Sequence, residues 1–410
     1  MGRIKSIGLI PKLLIAIALG VLAGANLPVG IIRVAVTFSE IFGSFLSFII
    51  PLMILAFVTK GISDLGEGAG KLLGITVLIS YLSTLIAGSL SYIMASNIFP
   101  KFITSEQIDA IVSSNADKLE PYFTVPLTPF FDVTSALIFA FMMGISISWL
   151  KGNNSGDVLY KAVSEFNAII VKVLEVAIIP ILPFFIFGNF AEMSYLGSVK
   201  AVLGIFWKIF ICLIILHLIY VTFMFVISGS YTGKNPFAML KNEVKGYMTA
   251  VGTQSSAATI PVNLQCAANN GVSREIADFV VPLGATVHLP GSMITLIGCV
   301  FTILYMYNLP HSFDIIIKLI VTLGIAMVAA PGAPGGAVMS ALPFLPMVGI
   351  APESAMAGLL ISLYLTQDSF GTAANVSGDV AIANAVDKIY NKRILKNKNW
   401  KPIPVIKNPK

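Results

Sequence analysis

Charge is what this chain has least of. Only 11% of its 410 residues are Asp, Glu, Lys or Arg, while 56% are hydrophobic, against about 25% charged in a soluble domain. Together with a mean hydropathy of +0.88, this marks an all-α polytopic membrane protein. Cysteine is equally sparse. Cys212, Cys266 and Cys299 lie in or beside apolar segments without paired spacing, which excludes a disulfide framework and a thiolate metal site and leaves small buried hydrophobes. The three histidines, His217, His288 and His311, are scattered and no HExxH occurs, so zinc catalysis is excluded.

The net charge of +6 does not point to nucleic acid. Of the 26 Lys and Arg residues, 11 lie in the first 12 residues or from Lys388 onward, and no stacking platform or nucleic-acid motif accompanies them. By the positive-inside rule both termini face the cytoplasm, with 392–410 a basic tail opposite anionic lipid of the cell (inner) membrane. Arg3, Lys5 and Lys12 before Leu13–Ala25 imitate a secretory signal, but a whole polytopic chain follows. Met1-Gly2 with Ser6 fits a myristoylation pattern too short to carry weight.

Apolar runs long enough to span a bilayer lie at about residues 9–28, 34–58, 72–97, 134–150, 160–190 and 200–228. Pro126 and Pro129 threaten the fourth. The acidic segment Phe99–Asp132 reads as an external loop, and lysines flank the loops of opposite side, which fits six crossings. The second half has another texture. Gly252-Thr253-Gln254-Ser255-Ser256-Ala257-Ala258-Thr259-Ile260-Pro261 interrupts 236–267, and Ala329-Ala330-Pro331-Gly332-Ala333-Pro334-Gly335-Gly336 interrupts 315–347. Irregular backbone at membrane depth survives only against protein or a water-filled cavity. Two such segments in corresponding positions mark a transporter's midplane site, with half-helix ends offering N–H groups to an anion. Each is read as a re-entrant hairpin in preference to a kinked crossing. Between them, 276–306 is a span broken at Gly284–Gly291, where Pro290 removes a donor and bared carbonyls suit a sodium ion. With 354–388 the crossings number eight.

That last span carries a polar stripe. Asp368, Thr372, Asn375 and Asp379 stand at i, i+4, i+7 and i+11, one face of a helix at about 100° per residue. An intramembrane Asp costs at least about 2.5 kcal/mol, so the stripe points to ions or substrate; a seam gluing helices together is the plainer alternative. The carboxylates are roughly 16 Å apart along the axis, too far to share a proton as paired catalytic aspartates do. An enzyme is therefore not expected, and a gated channel is the remote alternative.

Ser255–Asn263 resembles the first-hairpin serine motif of the dicarboxylate/amino acid:cation symporters, the glutamate-transporter family, and is most similar to its serine/threonine:sodium branch. Pro331–Gly336 resembles the second hairpin tip, Gly284–Gly291 the unwound seventh helix, and Asp368–Asp379 the eighth. The resemblance implies an elevator-type homotrimer without cofactor, with sodium as coupling ion and an amino acid as substrate. Residues 1–230 would form mainly scaffold, the third and sixth helices packing on a transport domain at 231–391. By the same resemblance Asp368 holds the substrate's amino group. Thr372 and Asn375 hold its carboxylate, helped by Ser255, Ser256 and the tip Ala333-Pro334-Gly335. Asn375 and Asp379, with backbone near Gly284, hold one sodium, and Thr286 borders a second.

Three departures matter. Gly371 stands where acidic-substrate members of the family carry an arginine, and Gln254 where prokaryotic members often carry another. Neither position offers a guanidinium to a side-chain carboxylate, so a small neutral amino acid such as serine, threonine or alanine is expected, with a small carboxylate as alternative. Third, His288-Leu289-Pro290-Gly291 replaces the family's Asn-Met-Asp-Gly. Tyr81 and Thr84, with Leu85 in place of a Ser, then leave a third sodium cage without its carboxylate, and that site is read as lost. His288 is either a proton carrier, adding H+ to the coupling, or a hydrogen-bonded structural histidine. His217 is assigned to packing and His311 to an interface.

Overall fold

Proline, glycine and short polar stretches decide where the helices stop. The computed structural model describes residues 9–64, 70–116, 118–153, 155–327, 335–397 and 401–406, and among them every regular element is a helix. In the first half these are α1 (Leu9–Asn26), α2 (Val29–Asp64), α3 (Gly70–Ile98), α4 (Ser105–Ala116), α5 (Val133–Gly152), α6 (Asp157–Val173), α7 (Ile179–Tyr195) and α8 (Val199–Thr232). A π turn at Leu174–Ile178 joins α6 to α7, just before Pro180 removes a ladder donor. Asp132 caps α5 through the Ser135 amide, so Pro126 and Pro129 lie ahead of that helix and do not break it. The stretch read as an external loop contains α4, which the sequence reading missed.

The second half is built from broken elements. Helix α9 (Pro236–Thr253) ends at Gln254, which takes the left-handed conformation at φ +54°, and Ser255 then caps α10 (Ser256–Asn269) through the Ala258 amide. The interruption is thus two residues wide, narrower than the sequence indicates, and Pro261 sits inside α10. Helix α11 (Arg274–Val287) halts at His288-Leu289, and α12 (Pro290–Met306) restarts with proline at its first position, where no amide is missed. Helix α13 (Phe313–Ala326) precedes the undescribed residues 328–334. Beyond them come α14 (Gly336–Ala341), a 3-10 stretch at Leu342–Val348 and the long α15 (Ala355–Ile389).

Burial separates the core from an exposed apolar surface. The stretch Arg274–Met306 is an interior rod, its whole apolar window buried. Helices α3 and α8 expose Leu78, Leu82 and Ile86, and Ile211, Ile215 and Ile219, respectively, each set one turn apart on one face. Among the described residues, 29–63, 71–101, 157–195, 199–232 and 274–306 are long and apolar enough to cross a bilayer. Helix α15 has the length, at 35 residues, but its polar stripe keeps it out of that set.

Small residues set the closest approaches, as is usual where lipid offers helices no hydrophobic drive to associate. A Cβ at Gly24 of α1 would lie 2.2 Å from Ala191 O of α7, and one at Gly20 2.7 Å from Phe187 O. The Ser194 hydroxyl donates to Val21 O across the same contact. Replacing Gly24 with Leu should destabilise the protein by about 3 kcal/mol through overpacking. Thermal unfolding in detergent will show a lowered Tm; an unchanged Tm would mean that α1 is not held by this contact.

Candidate functional site

All four stripe residues are buried on α15, Asp368 and Thr372 at 5% exposure and Asn375 and Asp379 at 1%. They share a face, as the spacing predicts; Asp368 meets the start of α14, while Asn375 and Asp379 both meet the break between α11 and α12. Asp368 Oδ2 accepts the Gly335 N–H at 2.7 Å. Gly335 has φ +77° and caps α14, a conformation that favours glycine. Ala333 and Pro334, expected at the same tip, lie outside the described residues.

Asn375 fills the gap between α11 and α12. Its Oδ1 accepts the Gly291 and Ser292 amides at 2.8 and 3.3 Å, and its Nδ2 donates to Ser292 Oγ at 3.0 Å. It is an N-cap supplied from another helix, satisfying donors that a helix start leaves free. The cost falls on α11. Thr286 O has only Pro290 as its i+4 residue, which carries no N–H, and Val287 O has Gly291, whose N–H serves Asn375. Neither carbonyl therefore has its usual ladder donor.

Asp379 binds the residue at the break. His288 Nδ1–H donates to Asp379 Oδ1 at 2.9 Å, which leaves Nε2 to accept the Ser83 hydroxyl at 2.9 Å. Tyr220 continues the network, its hydroxyl donating to Ser83 O at 2.7 Å. Asp379 Oδ2 has no protein partner. A Cβ at Gly284 would lie 2.6 Å from the Asp379 carboxylate, so glycine is required for this approach. A carboxylate oxygen without a protein partner and carbonyls released from the helix ladder are hard oxygen donors of the kind a sodium ion takes.

Other expected residues stand less close to the chemistry. The Gly284 carbonyl accepts the His288 N–H at 2.9 Å. The Thr286 side chain is exposed, and its hydroxyl donates to Leu283 O of its own helix. Ser256 is buried and Ser255 half-buried at the start of α10. Helix α9 sets that tip against the stripe by packing Ala250, Tyr247 and Val251 on Ala373 and Val376. His217 does more than pack: its Nε2–H donates to Gly291 O at 3.0 Å. The His311 ring meets Phe301 and Tyr305 edge-on. Thr84 donates only to Ser80 O of its own helix. Ser83, one residue earlier, is what α3 brings to the site. The sequence reading missed Ser83 and Tyr220 because each is one hydroxyl in an apolar run, and only the fold joins them to His288. A cleft of about 340 Å³ between α3, α8 and α15 reaches Ser83 and Tyr220, but its walls are apolar and it does not suit an amino acid.

Residues 9–389 match the family model described as the sodium:dicarboxylate symporter family. The chain is 28% identical over 312 residues to neutral amino acid transporter B(0) of Macaca fascicularis, covering 72% of this chain and 56% of that protein. It is 29% identical over 269 residues to the Homo sapiens protein of the same name, covering 63% and 48%. It is 29% identical over 267 residues to excitatory amino acid transporter 5 of Mus musculus, covering 64% and 46%. The chain thus spans about half the length of the relatives it matches.

Gly371 is not open space. A Cβ there would touch Gly291 and Thr295 of α12 at 3.4 Å, and a Cβ at Gly291 would fall 2.2 Å from Gly371 O. Gly371→Ala should therefore be tolerated, whereas Gly371→Arg should separate α12 from α15 at a cost of about 3 kcal/mol or more. Size-exclusion profiles and Tm of the two variants distinguish these outcomes; a well-folded arginine variant would show that the crossing can open.

Proposed function

The chain belongs to the sodium:dicarboxylate symporter family, and from that premise we propose that it is a secondary active symporter taking up a small neutral amino acid on a sodium gradient. The observation that carries this reading is the presence, on one buried face of α15, of a carboxylate that accepts the Gly335 amide and a carboxylate with one unpartnered oxygen, bound to His288 at the break between α11 and α12. Such a site holds an ammonium group at one end and a hard cation at the other. It performs no chemistry on its cargo and needs no cofactor.

In this reading eight crossings and two re-entrant hairpins (α9–α10 and α13–α14) place both termini in the cytoplasm. Residues 231–391 move as a transport domain against a scaffold drawn from 1–230 in a homotrimer. Asp368 takes the substrate's amino group. Thr372, Ser256 and the α10 amides take its carboxylate, favoured by the positive end of that helix. Asp379 Oδ2 with the Thr286 and Val287 carbonyls takes sodium, and His288 holds the carboxylate in position. With Gln254 and Gly371 in place of arginines, a side-chain carboxylate on the substrate would be left unpaired, so serine, threonine or alanine is favoured over glutamate, aspartate or succinate.

Labelled serine offered to proteoliposomes should accumulate under an inward sodium gradient at fixed pH and not under an inward proton gradient without sodium. Accumulation in the proton arm alone would move the coupling to His288, and accumulation in neither would remove serine as substrate. Asp368→Asn should weaken serine binding ~100-fold, the loss expected when one side of a buried charge pair is neutralised, with the fold kept. Asp379→Asn should raise the sodium concentration for half-maximal uptake while sparing substrate contacts. Near-normal uptake in the first variant, or unchanged sodium dependence in the second, would remove that residue from its role.

A further inference from the structure

A second buried carboxylate lies outside the stripe. Glu243 of α9 is 1% exposed, and neither of its carboxylate oxygens has a hydrogen-bond partner. Among the described residues no lysine, arginine or histidine is within ion-pair distance of it; Lys241 and Lys245 point outward as exposed residues. Its neighbours are oxygens and a thiol. Asn263 of α10 donates its Nδ2 to Val376 O of α15 at 2.6 Å, which turns Asn263 Oδ1 the opposite way, and that oxygen too is unpartnered. Reversing the amide would only set Oδ1 against the Val376 carbonyl, so the orientation is fixed. Ser377 Oγ, also buried and unpartnered, and the Cys266 thiol border the Glu243 carboxylate.

The oxygens face a common space. A Cβ on Gly246 would lie 2.4 Å from Asn263 Oδ1 and 2.4 Å from Glu243 Oε1, so both acceptors border the gap that the missing side chain leaves. Acceptor against acceptor, away from water, is unfavourable without a cation or a proton between them. Asp379 is a further buried carboxylate, two residues beyond Ser377 on α15. One cation held by Asp379 does not neutralise both.

We propose that Glu243, Asn263 Oδ1 and Ser377 Oγ form a second monovalent-cation site, walled by the two arms of the first hairpin and α15 and distinct from the Asp379 site. A carboxylate, an amide oxygen and a hydroxyl are hard donors that suit sodium. None of the three belongs to the residues assigned above to substrate or to the first ion. The site sits where hairpin and α15 join, so an ion here ties the hairpin to the stripe. The choice of sodium rests on the symport reading; the geometry of the site does not.

The test is equilibrium binding of radioactive sodium to the purified full-length protein at constant pH, for the unsubstituted chain and for Asp379→Asn, Glu243→Gln and Ser377→Ala. Asp379→Asn and Glu243→Gln should each remove one bound ion per protomer. Ser377→Ala should leave the count intact and weaken one class of site about tenfold, as for one lost polar contact. The alanine variant keeps the test decisive should the glutamine variant fold poorly. Full sodium stoichiometry in Glu243→Gln, with unaltered affinities in Ser377→Ala, overturns the proposal and leaves the symport reading standing. A Glu243→Gln variant that changes only the pH dependence of uptake also overturns it, because the carboxyl then carries a proton and not an ion. If the unsubstituted protein binds no sodium, both readings fall.

Discussion

Polar backbone at membrane depth has to be satisfied from within the protein, and here one side chain does most of it. Asn375 supplies the start of α12 with the acceptor that the Val287 and His288 carbonyls would give in an unbroken helix. Its capping leaves a gap of two residues in which His288 turns toward Asp379 and the carbonyls before α12 lack their ladder donors. Without that cap the Gly291 and Ser292 amides would be buried donors lacking partners, each costing about 1–3 kcal/mol. The broken helix, the placement of His288 and the cation donors all depend on it. A residue expected to ligate thus has a structural duty that comes first.

Much of this was legible in the sequence. Helical periodicity alone puts Asp368, Thr372, Asn375 and Asp379 on one face, and the Gly/Pro clusters mark the broken segments to within a few residues. What stayed hidden depends on partners distant in the chain. Ser83 and Tyr220 acquire meaning only when α3 and α8 pack beside His288. Gly371 reads as an arginine position left empty, yet the fold uses its smallness to let α12 and α15 touch. Glu243 was readable as an intramembrane acid, but its lack of a counter-charge depends on where Asn263 and Ser377 fall. The break widths were overestimated because Ser255 and Pro261 act as a cap and a tolerated helix residue, where composition alone suggests disorder of the pattern.

Glycine does two kinds of work in this molecule. At Gly20 and Gly24 it brings whole helices into contact, fixing α1 on α7. At Gly284 and Gly246 it makes room for charged or polar atoms, admitting the Asp379 carboxylate in one case and separating Glu243 from Asn263 in the other. The first kind concerns stability, and its loss should be read in unfolding. The second concerns the sites, and its loss should be read in ion binding while the helices remain packed.

The hydrogen bond between Gly335 and Asp368 has a different consequence. The donor is a main-chain amide, so no change of side chain at position 335 deletes it. Proline would delete it, but the positive φ at that position excludes proline. Asp368 is therefore held on one oxygen by a donor of fixed strength, built into the backbone and beyond adjustment by ordinary substitution, while its other oxygen keeps its own acceptor capacity. The carboxylate is aimed by the main chain, and only the second oxygen is open to tuning by side chains.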